Sequence, residues 1–222
     1  MTAEAALSKR QSGTARNRQA LVEATLDSIA EVGIAGTSVS EIIQRAGLSR
    51  GMIHLHFGGK DNLLVAAVKQ TGETYYNNLD NALARAGDSP AEKLLAVIDC
   101  DLGDGNLNRR AVNIWYAFRG EARERTKIAR YTDTRDKRLN TLLFRVFREM
   151  ADKEEFEDPS QTARDATHGT LAMMEGLWSD FLLHPESFDR QQARRVVLRF
   201  LSALFPASIR PDNGGSKRTC SD

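Results

Sequence analysis

Histidines are scarce in this chain, four in 222 residues, yet His54 and His56 stand one residue apart in "LSRGMIHLHFGGKDNLL" (48–64). Two imidazoles at that spacing chelate a metal if the segment is a strand, where positions i and i+2 share a face. On a helix they lie roughly 200° apart and do not converge. The other histidines, His168 and His184, are distant in sequence and bring no further ligand at metal spacing. Cys100 and Cys220 form neither a CxxC nor a disulfide framework, which fits a reducing cytoplasm. No nucleophile–base pair, paired carboxylates in an apolar setting or phosphate-cradling glycine motif stands out. The expectation is no catalytic residue, no metal, no cofactor and no enzyme.

The elements that carry this segment decide between strand and helix. Helical periodicity dominates the chain, and no stretch alternates between hairpin turns. A first helix spans about Asn17 to Val32, with Leu21, Val22, Thr25, Leu26 and Ile29 as its apolar stripe and Gly33 as its stop. Ser38-Val39-Ser40-Glu41 reads as a capping box opening a short helix that ends at Gly47. Ser49 offers the N-cap of a third helix, about 50–57. A fourth follows Gly58-Gly59, begins with Lys60 and runs as far as Arg85, with Gly72 as a weak point. Further starts stand at Ser89-Pro90-Ala91-Glu92, Asp158-Pro159-Ser160-Gln161 and Asp189-Arg190-Gln191-Gln192. Residues 106–119 and about 121–150 read as helices between them. The expectation is an all-α fold of about nine helices. Residues 1–15 form a flexible arm, 16–60 a helix-turn-helix domain, 61–205 a ligand-binding and dimerisation domain, and 206–222 a flexible tail.

Within 38–57, a short helix, a glycine turn and a second short helix make a helix-turn-helix layout, whose second helix enters a major groove. Ile42, Ala46, Leu48, Ile53 and Phe57 suit inward packing. Arg50 and His54, four apart, share the opposite face, and Gly51 removes bulk beside them. Ser38 and Ser40 open a helix N-terminus that favours anions, and Lys60 opens another beside two glycines. The whole chain carries a net charge of only +1, so basicity is argued locally: between Ser8 and Lys60 seven bases and four acids leave a net of about +3.

The run "RQALVEATLDSIAEVGIAGTSVSEIIQRAGLSRGMIHLHFGGKDNLLVAAV" (18–68) resembles the DNA-binding domain of the TetR family of bacterial transcriptional regulators. The glycine after the first helix, the T-S-V start, "AGLS-RG", Phe57 and "K-D-N-LL" carry the likeness. The resemblance implies a cytoplasmic, homodimeric repressor of a palindromic double-stranded DNA operator, with a small-molecule effector. Carried over by position, it implies DNA contacts from Ser38, Ser40, Arg50, Gly51, Met52, His54, His56 and Lys60. The family commonly has two tyrosines where this chain has His54 and His56, so base preference does not transfer.

The remaining residues divide between two expected surfaces. Met173, Leu177, Phe181, Val197, Phe200, Leu201 and Leu204 lie on two late helices that are apolar on more than one side. This predicts a dimer interface, a fully buried core helix being the other reading. Trp115, Tyr116, Phe118, Arg119, Tyr131, Arg135, Met174 and Trp178 are expected to line the ligand pocket. The block "IWYAFRGEA…YTDTRDKRLNTLL", with "GLWSDFLL", looks like the BetI-type subgroup, whose best-known members respond to choline. An aromatic cage suits that quaternary ammonium, whereas Arg119 and Arg135 suit an anionic ligand. No apolar run approaches membrane-spanning length. An all-α adaptor or enzyme without DNA binding is the alternative reading.

Overall fold

The computed structural model describes the backbone of residues 3–121 and 126–210, with the side chains of those spans except 3–12, 126, 130 and 132–136. Among the described residues there are nine helices and no strand: α1 (Ala3–Gly36), α2 (Val39–Ala46), α3 (Arg50–Phe57), α4 (Lys60–Arg85), α5 (Pro90–Leu102), α6 (Arg109–Glu121), α7 (Thr126–Lys153), α8 (Pro159–Leu183) and α9 (Arg190–Leu204).

The helix starts follow the local chemistry. Ser89 accepts from the Glu92 amide while Glu92 reaches back to the Ser89 amide, and Pro90 fills the first helical position. Asp158 caps α8 through the Gln161 amide, and Asp189 caps α9 through the amides of Gln191 and Gln192. Gly47, at φ 64°, closes α2 in the left-handed region that glycine enters without a Cβ clash.

Four local expectations change. α1 begins at Ala3, so residues 3–15, expected as an arm, have helical backbone; "AEAALSKRQ" consists of good helix formers. Gly33 does not end α1 but kinks it, at φ 71° and ψ 176°, and the helix resumes to Gly36. The Ser38 box is half formed. Ser38 Oγ accepts from the Glu41 amide at 3.1 Å, but the Glu41 carboxylate goes to Arg45 instead. Arg45 also grips both Glu31 oxygens, and these hydrogen bonds hold the Glu31 carboxyl below its ordinary range. Ser49 stands extended before α3 but makes no side-chain cap.

Packing groups the described residues into two units, 3–77 with 108–121 and 126–136, and 78–107 with 137–210. In the first, Leu21, Leu26 and Ile29 of α1 meet Ile42 of α2, Ile53 and Phe57 of α3, and Leu63 and Leu64 of α4. Ile114 and Phe118 of α6 and Ile128 of α7 join the same core. α6 and the start of α7, expected in the C-terminal domain, therefore pack with the helix-turn-helix. Arg110 fastens α6 to α1 through Asp27 at 2.7 Å and Glu23 at 2.8 Å, and Asn113 donates to the Ala30 carbonyl.

In the second unit, Leu94, Val97 and Ile98 of α5, Leu143 and Phe147 of α7, Met174 and Trp178 of α8, and Val197 and Leu201 of α9 are buried. Phe205 stacks on Phe147, and the chain continues to a buried Ile209, so residues 206–210 pack rather than belong to a flexible tail. Residues 211–222 lie outside the described residues.

Candidate nucleic-acid interface

α3 is short, and its residues divide by burial. Ile53 and Phe57 enter the core beside α1 and α2. Arg50, Gly51, His54 and Leu55 are exposed, while Met52 is half-buried. Arg50 and His54 therefore share one exposed flank, as their spacing predicts. His56 does not join them. It is half-buried, its Nε2 is enclosed without a hydrogen-bond partner, and its ring meets Phe57 edge-on. A helix turns about 100° per residue, which carries position 56 away from the 50–54 flank. Among the described residues no group of three or more His, Cys, Asp or Glu side chains gathers on a metal-sized site.

The flanking devices are in place around this helix. Ser38 and Ser40 are exposed at the N-terminus of α2, where free amides favour an anion. Lys60 is half-buried and its Nζ donates to the Thr37 carbonyl. It ties the start of α4 to the start of α2 and is aimed by that bond. The tether joins residues 23 positions apart and is not visible in the local sequence, which marks Lys60 only as a phosphate contact. Arg18 of α1 lies over the Phe57 ring, 5.0 Å from its centroid, placing a further cation beside the end of α3.

The residues expected to line one ligand pocket are divided between the two units. Phe118 is fully buried in the α1–α4 core, with Tyr131 packed against that core, and Trp115 is buried as well. Tyr116 is half-buried, and the Arg119 guanidinium lies over the Trp115 ring at 5.4 Å. The Arg135 side chain lies outside those described. Met174 and Trp178 are buried in the other unit. Within its own unit each of these aromatic and apolar residues is buried or half-buried, and periodicity alone does not separate such core packing from a binding cage.

Trp178 Nε1 donates at 2.8 Å to Asp101 Oδ2, on a fully buried carboxylate that the sequence did not single out. Trp178→Phe removes this donor together with the five-membered ring of a buried indole. The expected cost is at least about 1–3 kcal/mol for the unpaired carboxylate, with a further cavity contribution, read from urea unfolding of the full-length protein. An unchanged unfolding free energy would show that the bond contributes nothing. Elsewhere in that unit an open groove of about 680 Å³ runs between the end of α4, α5 and the turn after it, with Asn78, Arg85, Glu92, Asp99 and Cys100 in its wall. Burial, reinforced by the Asp101 carboxylate, pushes the Cys100 thiol up to about 11, so it stays protonated and unreactive at neutral pH.

The α8–α9 surface also differs from expectation. Phe181, Val197 and Leu201 are buried in the unit's own core, and Met173 and Leu177 are half-buried. The exposed apolar residues on α9 are Val196 at 50%, Phe200 at 42% and Leu204 at 36%. They recur every fourth residue and form one stripe. Val196 was missed because its neighbour Val197 is equally apolar.

A capped short helix, a left-handed glycine turn and a second short helix with a bare polar flank, all held on α1, define a helix-turn-helix DNA-binding protein. Residues 21–67 match the model of the bacterial regulatory proteins of the tetR family, and residues 90–206 that of the BetI-type transcriptional repressor C-terminal domain. The chain belongs to the TetR family of bacterial transcriptional regulators, in its BetI-type branch. It is 32% identical over 191 residues to an HTH-type transcriptional regulator BetI of Stenotrophomonas maltophilia, covering 86% of this chain and 94% of that protein. BetI 1 of Chromohalobacter salexigens is 31% identical, with 86% and 91% covered. A transcriptional regulator of Pseudomonas aeruginosa PAO1 superposes with a TM-score of 0.77 at 27% identity, over 86% of this chain and 91% of that one. A regulator of Saccharomonospora viridis solved with choline has the same fold, with a TM-score of 0.72 at 18% identity over 83% and 95% of the two chains. The relatives named BetI are regulators, not enzymes. Among the described residues no helix is long and apolar enough to cross a membrane.

Proposed function

We propose that this protein is a cytoplasmic, homodimeric repressor that binds a palindromic operator through α3 and releases it when a choline-like small molecule binds. It acts by binding alone, without catalysis. The observation that carries the reading is the bare flank of α3, Arg50, Gly51 and His54, on a helix anchored by Ile53 and Phe57. Ser38, Ser40, Arg18 and the tethered Lys60 supply phosphate contacts around it. The Val196–Phe200–Leu204 stripe joins two copies, so that two reading helices meet half-sites one helical turn apart.

Effector coupling is supported by α6. It lies inside the BetI-type match at 90–206, yet Ile114 and Phe118 complete the α1–α4 core. Displacement of α6 therefore acts directly on α1 through Arg110 and Asn113. The choline class follows from the BetI-type branch and the fold shared with the choline-bound regulator. Because the coupling is reciprocal, choline must weaken operator binding by the factor by which operator weakens choline binding.

The test is a fluorescence anisotropy titration of the full-length protein against duplexes selected from a random library. A sequence-selective complex that weakens with salt is expected, with release on addition of choline. Absence of a selective complex would overturn the reading. Release by other small molecules but not by choline or glycine betaine would overturn only the effector class.

A further inference from the structure

Leu55 is 74% exposed, more than any other large apolar side chain among the described residues. Single exposed leucines are ordinary on protein surfaces. This one stands on an eight-residue helix whose other exposed residues are Arg50, Gly51 and His54. Gly51 lies one turn before it, and the nearest atom to a Cβ built there is Ser49 Oγ at 3.9 Å. The turn around Gly51 is therefore bare. Helical side chains lean toward the N-terminus, so Leu55 leans over that bare turn and makes an apolar shelf on it. His54 flanks the shelf on one side, and the half-buried Met52 borders it on the other.

A leucine side chain has no donor or acceptor, so it neither holds a phosphate nor reads a hydrogen-bonding base edge. The major groove presents one apolar group, the C5 methyl of thymine. We propose that Leu55 is a specificity-determining residue that reads a thymine in each half-site by packing on its methyl group. The bare turn at Gly51 lets the base edge approach closely enough for that contact. The inference rests on α3 being the reading helix, as proposed above.

The test begins with duplexes that the full-length protein selects from a random library. Each thymine is then replaced in turn by deoxyuridine, which lacks only the methyl group, and affinity is measured by anisotropy. One thymine position per half-site is expected to lose about fourfold on replacement, and about 15-fold when both half-sites are changed. Leu55→Ala, at an exposed position, is expected to lose this sensitivity, and its own selected sites to lose the thymine there. Leu55→Met, still apolar, is expected to keep it. A flat deoxyuridine scan, or the same loss in Leu55→Ala, would overturn the proposal while Arg50→Ala still loses selectivity. If Arg50→Ala and Leu55→Ala both select the same sites as the parent protein, the assignment of α3 as reading helix fails with it.

Discussion

Arg50→Ala is expected to lower operator affinity by roughly 30-fold to 3 × 10⁴-fold. A guanidinium that bonds a guanine edge at two points contributes about 1–3 kcal/mol of discrimination, and a dimer uses it twice. Arg50 opens α3 with its side chain exposed, on the same flank as His54. Its removal therefore disturbs no packing, and the change in folding stability is expected to stay within about 0.5 kcal/mol. Arg50→Lys keeps the charge but not the planar fork and is expected to restore non-selective affinity only. The measurement is anisotropy against the selected duplex and a scrambled duplex, at two salt concentrations. If Arg50→Ala binds both as the parent does, Arg50 is a solvated surface residue and the contact assignment is wrong. Arg45→Ala is the useful contrast: Arg45 of α2 reaches Glu31 of α1 and is braced by Glu41 of its own helix, so its loss acts on the scaffold rather than on reading.

Phe200→Asp is expected to dissociate the proposed dimer, weakening self-association by at least about 100-fold. Phe200 is the middle residue of the Val196–Phe200–Leu204 stripe, and its ring lies 3.6 Å from where a Cβ at Gly169 of α8 would stand. A carboxylate placed there must either remain hydrated, holding two copies apart, or be buried unpaired at a cost of several kcal/mol. The folded protomer already exposes this position, so its helical circular dichroism is expected to persist. Operator affinity falls with the dimer, because each half-site then binds alone. Sedimentation velocity over a range of concentrations reads the association directly. Gln191→Asp, at an exposed polar position about 180° round α9 from Phe200, is the control expected to remain dimeric. A Phe200→Asp protein that still sediments as a dimer places the interface elsewhere.

Both predictions concern residues whose type was visible in the sequence but whose setting was not equally so. Arg50 and His54 needed only helix geometry, because four-residue spacing alone puts them on one flank. His56 and Leu55 needed the core. Once Ile53 and Phe57 are buried, rotation of the short helix is set, and that rotation half-buries His56 and exposes Leu55. The histidine attracted notice because it is rare and polar, whereas a leucine in an apolar run reads as core. The exchange between them is a matter of about 100° of helix rotation.

What the sequence by itself determined here is local. Proline, serine and acidic residues at helix starts, glycine at the α2–α3 turn, and apolar spacing within each helix act over one or two turns of chain. They specify the all-α helix-turn-helix architecture and the family likeness. The tertiary structure decided which apolar face meets which neighbour. It put Phe118 under α1 rather than in a cage, Val197 inside and Val196 outside, Lys60 on the Thr37 carbonyl, and Trp178 on a buried Asp101. The physical reason is that hydrophobic burial is non-directional. An apolar side chain records that it must leave water, but its partner is named only when helices distant in sequence close around it.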